Sequence, residues 1–121
     1  MAGNFSGMED RIRKTIIKKL CDVTGEKIDE RCVRVQAGES YVAIDFRDNA
    51  WFDAFNAARA TVKTMSEMGI QADGPHRYKH EQCVKMHMVS SPEDVEAKLG
   101  GRIYERHLNK ALPGSQVSLS R

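Results

Sequence analysis

Three of the four histidines and one of the three cysteines fall between positions 76 and 87, spaced His76-x3-His80-x2-Cys83-x3-His87. On a helix, steps of four, three and four would bring all four side chains onto one face. Imidazole with thiolate is a ligand set suited to zinc or another transition metal. On a strand the same spacing scatters them: Cys83 and His87 share a face but stand roughly 13 Å apart, too far to hold one ion. Val84, Met86 and Met88 alternate with Cys83, Lys85 and His87, which favours the strand. The expectation is therefore no metal and no cofactor, with His76, His80, Cys83 and His87 as the alternative ligand set.

The same stretch offers a second chemistry. Arg77 and Lys79 would neutralise phosphates while Tyr78 and His80 stack on exposed bases, a combination suited to single-stranded RNA or a nucleotide-like ligand. Arg11, Lys14 and Lys18 add a basic side to the first predicted helix, read either as a phosphate-contacting face or as a solvated face whose aliphatic stems cover apolar surface. Catalysis finds no comparable pattern. Nucleophilic chemistry needs a thiol or hydroxyl beside a base, and the chain has no HExxH, nucleophile elbow, P-loop or dinucleotide fingerprint. The KH glycine loop and the RRM aromatic strand signatures are also missing.

Composition sets the frame for these residues. With 121 residues, 40% of them hydrophobic and 30% charged, the chain suits a single α+β domain, residues 1–121, that buries one core. A net charge of +2 is far from the strongly basic balance of a dedicated duplex binder. The charge is uneven, at +3 over residues 1–20, −4 over 21–73 and +3 over 74–121. No apolar run is long enough for a bilayer and the N-terminus lacks a secretory pattern, so a cytoplasmic protein without a membrane partner is expected. Three cysteines without CxxC spacing read as reduced thiols.

The elements that must position these residues follow from periodicity. Ser6 and Glu9 have capping-box spacing, and Met8, Ile12, Ile16 and Leu20 repeat every fourth position, predicting a helix over 7–22 that Gly25 closes. Strands are predicted at 32–36 and 41–46, joined by a tight turn. Asp48 is the predicted cap of the next helix, whose stripe of Trp51, Phe55, Ala58, Val62, Met65 and Met68 should face the sheet and make Trp51 and Phe55 its anchors. Residues 69–77 read as irregular, and the third strand follows them, parallel or antiparallel to the second. Ser91-Pro92-Glu93-Asp94 opens a helix, Gly100-Gly101 breaks it, and residues 102–112 form another. The order is helix-strand-strand-helix-strand-helix-helix, with a small three-stranded sheet packed on helices and residues 115–121 as a flexible tail.

Two edges of a three-stranded sheet would need protection, and the stripe Ile103, Tyr104, His107, Leu108 and Leu112 exceeds what so small a sheet has left to cover. A homo-oligomer through that stripe is therefore expected. The functional expectation is a non-enzymatic binding module that contacts RNA or an anionic small ligand through residues 76–80 and the basic first helix. A protein–protein interaction or inhibitor protein acting through its surface is the alternative.

Overall fold

The computed structural model describes residues 5–77 and 82–112. Helix α1, Ser6–Thr24, is followed by a 3₁₀ turn at Glu30–Cys32 and strands β1, Val33–Ala37, and β2, Val42–Arg47. Helix α2, Ala54–Glu67, leads to β3, Gln71–Arg77, and β4, Cys83–Val89. Helices α3, Pro92–Leu99, and α4, Arg102–Ala111, complete the chain. The α+β class is as the sequence implies. Among the described residues no helix is long and apolar enough to cross a membrane.

The sheet has four strands, not three, in the order β1-β2-β4-β3 with every neighbouring pair antiparallel. The additional strand is β3, which falls in the segment read as irregular. Gly74 and Pro75 lie inside it, and the register with β4 shifts between Asp73 and His76, a bulge that breaks the apolar alternation. Gly74 has φ +124°, and a Cβ there would stand 2.9 Å from the Met86 Cβ and 3.0 Å from the Lys85 carbonyl oxygen, so only glycine fits. Pro75 has no N–H to leave unpaired, and the edge of a sheet is where that is tolerated. The other edge is blunted by local contacts. The Ala37 amide donates to Glu9 Oε2 at 2.9 Å, and the Val33 amide donates to the Glu30 carbonyl in the 3₁₀ turn. Glu9 thus serves the sheet edge instead of a capping box; no side chain caps α1.

One face of the sheet is core. Val33, Val35, Ala37, Val42, Ile44, Phe46, Val84, Met86 and Met88 alternate inward, and α1 covers β1 while α2 covers β2, β3 and β4. Ile12, Ile16 and Leu20 of α1 are fully buried, as their fourfold spacing predicts. The α2 expectation needs correction. Its cap is Asp53, whose Oδ1 accepts from the amides of Phe55 and Asn56, and the helix starts six residues later than Asp48. With the phase set there, the buried positions are Ala54, Ala57, Ala58, Ala60, Thr61, Thr64 and Met65. Trp51 is 49% exposed and Phe55 39%. Phe52, off the predicted stripe, is buried instead.

Helix α2 is covered on both sides, by the sheet and by α4. Its alanines permit the close approach. Thr61 and Thr64 return their hydroxyls to the carbonyls of Ala57 and Ala60, each at 2.8 Å, which satisfies polar atoms that would otherwise be costly inside. The Tyr104 hydroxyl lies 2.9 Å from Thr61 Oγ1. Burial raises the Tyr104 pKa, so its hydroxyl stays protonated. Tyr104, Leu108 and Leu112 are thus core of the single chain, while Ile103 and His107 are half-buried. The apolar surplus that argued for a homo-oligomer through this stripe is consumed internally, because the sequence reading left out a second partner for α2. The predicted tail at 115–121 lies outside the described residues.

Leu108→Ala should therefore cost about 2–5 kcal/mol, the usual loss for a large side chain removed from a packed core. Phe55→Ala should cost less than about 1 kcal/mol, since much of its ring is already solvated. Urea midpoints of the two variants check the ranking, and equal losses would mean that the α2 phase is misassigned.

Candidate functional site

The sequence-predicted cations are largely neutralised. Arg11 Nε lies 3.3 Å from Glu96 Oε1, Lys14 Nζ 3.1 Å from Asp10 Oδ2, and Lys18 Nζ 3.3 Å from Asp22 Oδ2. Arg13 and Lys19 are also opposed by carboxylates, Asp10 and Glu105. The basic side of α1 is thus a set of ion pairs. It also lies away from Arg77: α1 packs on edge strand β1, whereas Arg77 ends β3 on the opposite edge. Tyr78, Lys79 and His80 lie outside the described residues.

Among the metal alternative, His76 Nε2 sits 3.2 Å from Asp73 Oδ2, Cys83 stands across from Arg47, and His87 stands across from Asp73. Strand geometry spreads these side chains over the sheet face that carries no helix. No group of three ligating side chains forms among the described residues; His80 is not among them.

That uncovered face brings together residues the sequence reading did not group. Arg34 pairs across the strands with Asp45, Asp45 with Lys85, and Lys85 with His76, forming one row. Arg47 and Cys83 form the next. At this end a cavity of about 350 Å³ is lined by Arg31, Arg34, Asp45, Arg47, Gln82, Cys83 and Lys85. Its one carboxylate, Asp45, accepts from Lys85 at 3.1 Å. Arg47 donates to the amide oxygen of Gln82 at 2.9 Å, and Arg34 has no ion-pair partner among the described residues. Arg31 is held by Asp29, and its hydrogen bonds lower the Asp29 pKa to about 2.

Arg31 and Arg47 also line a second cavity of about 520 Å³, which continues past Lys27, Asp29, Cys32, Asp48 and Asn49 to Trp51. The loop that carries Trp51 is firmly tied. Asn49 Oδ1 accepts from the amides of Trp51 at 2.8 Å and Phe52 at 2.9 Å, an Asx turn that closes on the following residues. Asn49 Nδ2 points to the sulfur of buried Cys32 at 3.6 Å, and burial raises the Cys32 pKa. Asp48 Oδ1 accepts from the Ala54 amide at 2.7 Å, so Asp48 does serve the first turn of α2, from outside the cap position. Both Asp48 oxygens also receive Arg77, at 3.0 and 3.3 Å. Burial alone would raise the Asp48 carboxyl, but the Arg77 hydrogen bonds and the Ala54 amide outweigh it and hold the pKa below its ordinary value. Arg77 thus orders the loop.

This arrangement suits binding. It presents a half-exposed indole with its backbone fixed, at the end of a groove whose cations exceed its carboxylates. The signals for it lay in Asp48-Asn49 and Asp53: two loop-forming side chains ahead of Trp51 and a second possible cap behind it. Comparison with protein-family models, curated proteins and solved structures gives no match for this chain.

Asp48→Asn should destabilise the protein by about 1–2 kcal/mol at neutral pH, because it removes a charge-assisted pair and weakens an amide acceptor at the start of α2. The folded pKa of Asp48 is depressed, so its contribution is complete above the unfolded Asp value, about 3.9, and is lost as pH falls through the folded value. The stability gap between wild type and variant should accordingly narrow below about pH 4. Urea melts of both proteins across that range provide the check, and a gap independent of pH would remove Arg77–Asp48 from the account.

Proposed function

We propose that the chain is a non-enzymatic module that binds single-stranded RNA, stacking one base on Trp51 and leading the phosphates past Lys27, Arg47 and Arg34. The observation that carries this reading is the tied loop that leaves Trp51 half exposed where the basic groove ends. An indole accepts the π-face of any base, and cations along the adjoining groove follow a backbone without reading sequence. The uncovered sheet face supplies the width that an extended strand needs, and Arg34 and Arg47 supply charge that no carboxylate cancels. A shorter nucleotide-like ligand would use the same Trp51 and Arg47. The contact surface differs from the one the sequence pointed to, since Arg11, Lys14 and Lys18 are engaged and Arg77 acts by holding Asp48.

A protein partner is the second reading, favoured by the joint exposure of Trp51 and Phe55, since aromatic anchors dominate many protein interfaces. Salt separates the two. Neutralising three or four phosphates of a single strand gives a slope of log K against log salt of about −2 to −3, whereas an aromatic protein contact varies little with salt.

Trp51 is the one tryptophan in the chain, so its fluorescence reports the proposed contact directly. A mixed-sequence single-stranded RNA should quench it saturably, with the salt slope given above. Trp51→Ala should weaken binding, followed by RNA anisotropy, about tenfold, in keeping with about 1–3 kcal/mol per stacked base. Arg34→Gln with Arg47→Gln should flatten the slope. RNA that leaves the fluorescence unchanged, or a Trp51→Ala protein with wild-type affinity, would sink the proposal.

A further inference from the structure

Among the described residues nine of the seventeen lysines and arginines pair with a carboxylate, and where the unpaired ones gather is what matters. Helix α1 pairs Arg11, Arg13, Lys14, Lys18 and Lys19 with acids, and α3 pairs Lys98 with Asp94 at 2.6 Å. Between α2 and α4 the pattern reverses. A groove of about 230 Å³ runs between α2 and α4, walled by Asn56, Arg59 and Lys63 on one side and by His107 and Lys110 on the other. Its floor is alanine, Ala60 and Ala111. No carboxylate lines it, and Arg59, Lys63 and Lys110 have no ion-pair partner among the described residues. The nearby acid Glu67 is engaged outside the groove, accepting from His107 Nε2 at 2.7 Å.

Such a grouping carries a small electrostatic cost without a ligand. Arg59 and Lys63 lie one helical turn apart, where like charges repel by a few tenths of a kcal/mol, and Lys110 approaches from the facing helix. Nothing in packing requires this, because Arg59, Lys63 and Lys110 are all exposed and the core contact between the helices is made by Thr61 and Tyr104. Concave shape, small residues below and cations above form a receptor for a compact, multiply charged anion.

We infer that the α2–α4 groove is a binding site for a diphosphate-class anion, either free or as the phosphate end of a nucleotide. Arg59 offers a planar fork matched to two phosphate oxygens, while Lys63 and Lys110 act as mobile point charges. Three formal positive charges match a diphosphate better than a single carboxylate, and Asn56 adds a neutral donor. The site is independent of the proposed RNA surface, which lies on the uncovered face of the sheet and shares none of these residues.

The test is calorimetry of the full chain with pyrophosphate, ADP and adenosine, accompanied by thermal melts. Pyrophosphate should bind saturably with one site per chain and raise the melting temperature. Arg59→Gln with Lys63→Gln should weaken it at least tenfold, while the ligand-free variant melts no lower than wild type because the repulsion is relieved. Lys110→Gln alone should weaken it several-fold. Arg34→Gln with Arg47→Gln should leave it unchanged, which separates this site from the RNA surface. ADP equal to pyrophosphate, with adenosine inert, assigns recognition to the phosphates alone; ADP much tighter than pyrophosphate assigns the nucleotide as the source. Absence of saturable binding at millimolar pyrophosphate, or wild-type affinity in the Arg59 and Lys63 double variant, overturns the inference.

Discussion

The small side chains of α2 are the constraint on which the rest of the molecule depends. A helix that meets a sheet on one side and a second helix on the other has room for little bulk, and apart from Met65 its buried positions are small: Ala54, Ala57, Ala58, Ala60, Thr61 and Thr64. The larger volume comes from the neighbours: Phe46, Met86 and Met88 from the sheet, Tyr104 and Leu108 from α4. Thr61 and Thr64 are compatible with this burial because each hydroxyl has a carbonyl four residues back, and Thr61 additionally fixes the height of Tyr104. Because α2 is covered twice, α4 stacks outside the first helical layer. The helices then all serve one side of the sheet, and its other face carries no helix among the described residues.

Charge follows the same division. Where helices abut one another through long side chains, as α1 does with α3 and α4, cations and carboxylates are matched across the contact, Arg11 with Glu96 and Lys19 with Glu105. These pairs are partly exposed and each contributes little to stability. Their effect is to cancel the field that a basic helix would otherwise project. Among the described residues the cations without an ion pair include Arg34 and Arg47 on the sheet, Arg59, Lys63 and Lys110 beside the α2–α4 groove, and Lys27, Arg102 and Arg106 elsewhere. A net charge of +2 therefore coexists with local groups of unpaired cations.

How far the sequence could be read depended on whether a residue's role was local. The fourfold spacing in α1, the alternation in β1, β2 and β4, and the Ser91-Pro92 start of α3 are decided within a few residues, and the structure has each of them. Strand β3 was hidden because glycine, proline and a bulge erase alternation, and its hydrogen bonds come from β4, later in the chain. On α2 the predicted stripe holds at Ala58 and Met65, which are buried, and fails at Trp51 and Phe55, because large residues are the usual sign of a buried face whereas here the helix begins only at Ala54 and small residues fill most of its buried positions. The Tyr104 stripe was correctly seen as apolar but assigned to a second copy, since no local pattern says that α4 packs on α2. Ion pairing is equally non-local: Arg11 reads as free until α3 brings Glu96 beside it, and Arg77 until the end of β2 brings Asp48.

The Trp51 loop shows how these contacts bear on function. An indole left half exposed forgoes part of the stabilisation that burial would give it, about 25 cal/mol for each Å² of apolar area still in water. The chain nevertheless invests several hydrogen bonds in the six residues around it: Asp48 to the Ala54 amide and to Arg77, Asn49 to the Trp51 and Phe52 amides, and Asp53 to the first turn of α2. Phe52, buried directly after it, fixes the loop from below. Such a loop has already lost the backbone freedom that a binding loop would lose on contact, roughly 1–2 kcal/mol for each residue otherwise ordered at that moment. An exposed aromatic on a mobile loop would lose much of its stacking energy to that ordering. On this loop the proposed stacking would keep nearly all of it, and affinity would then depend on the few cations that adjoin the ring.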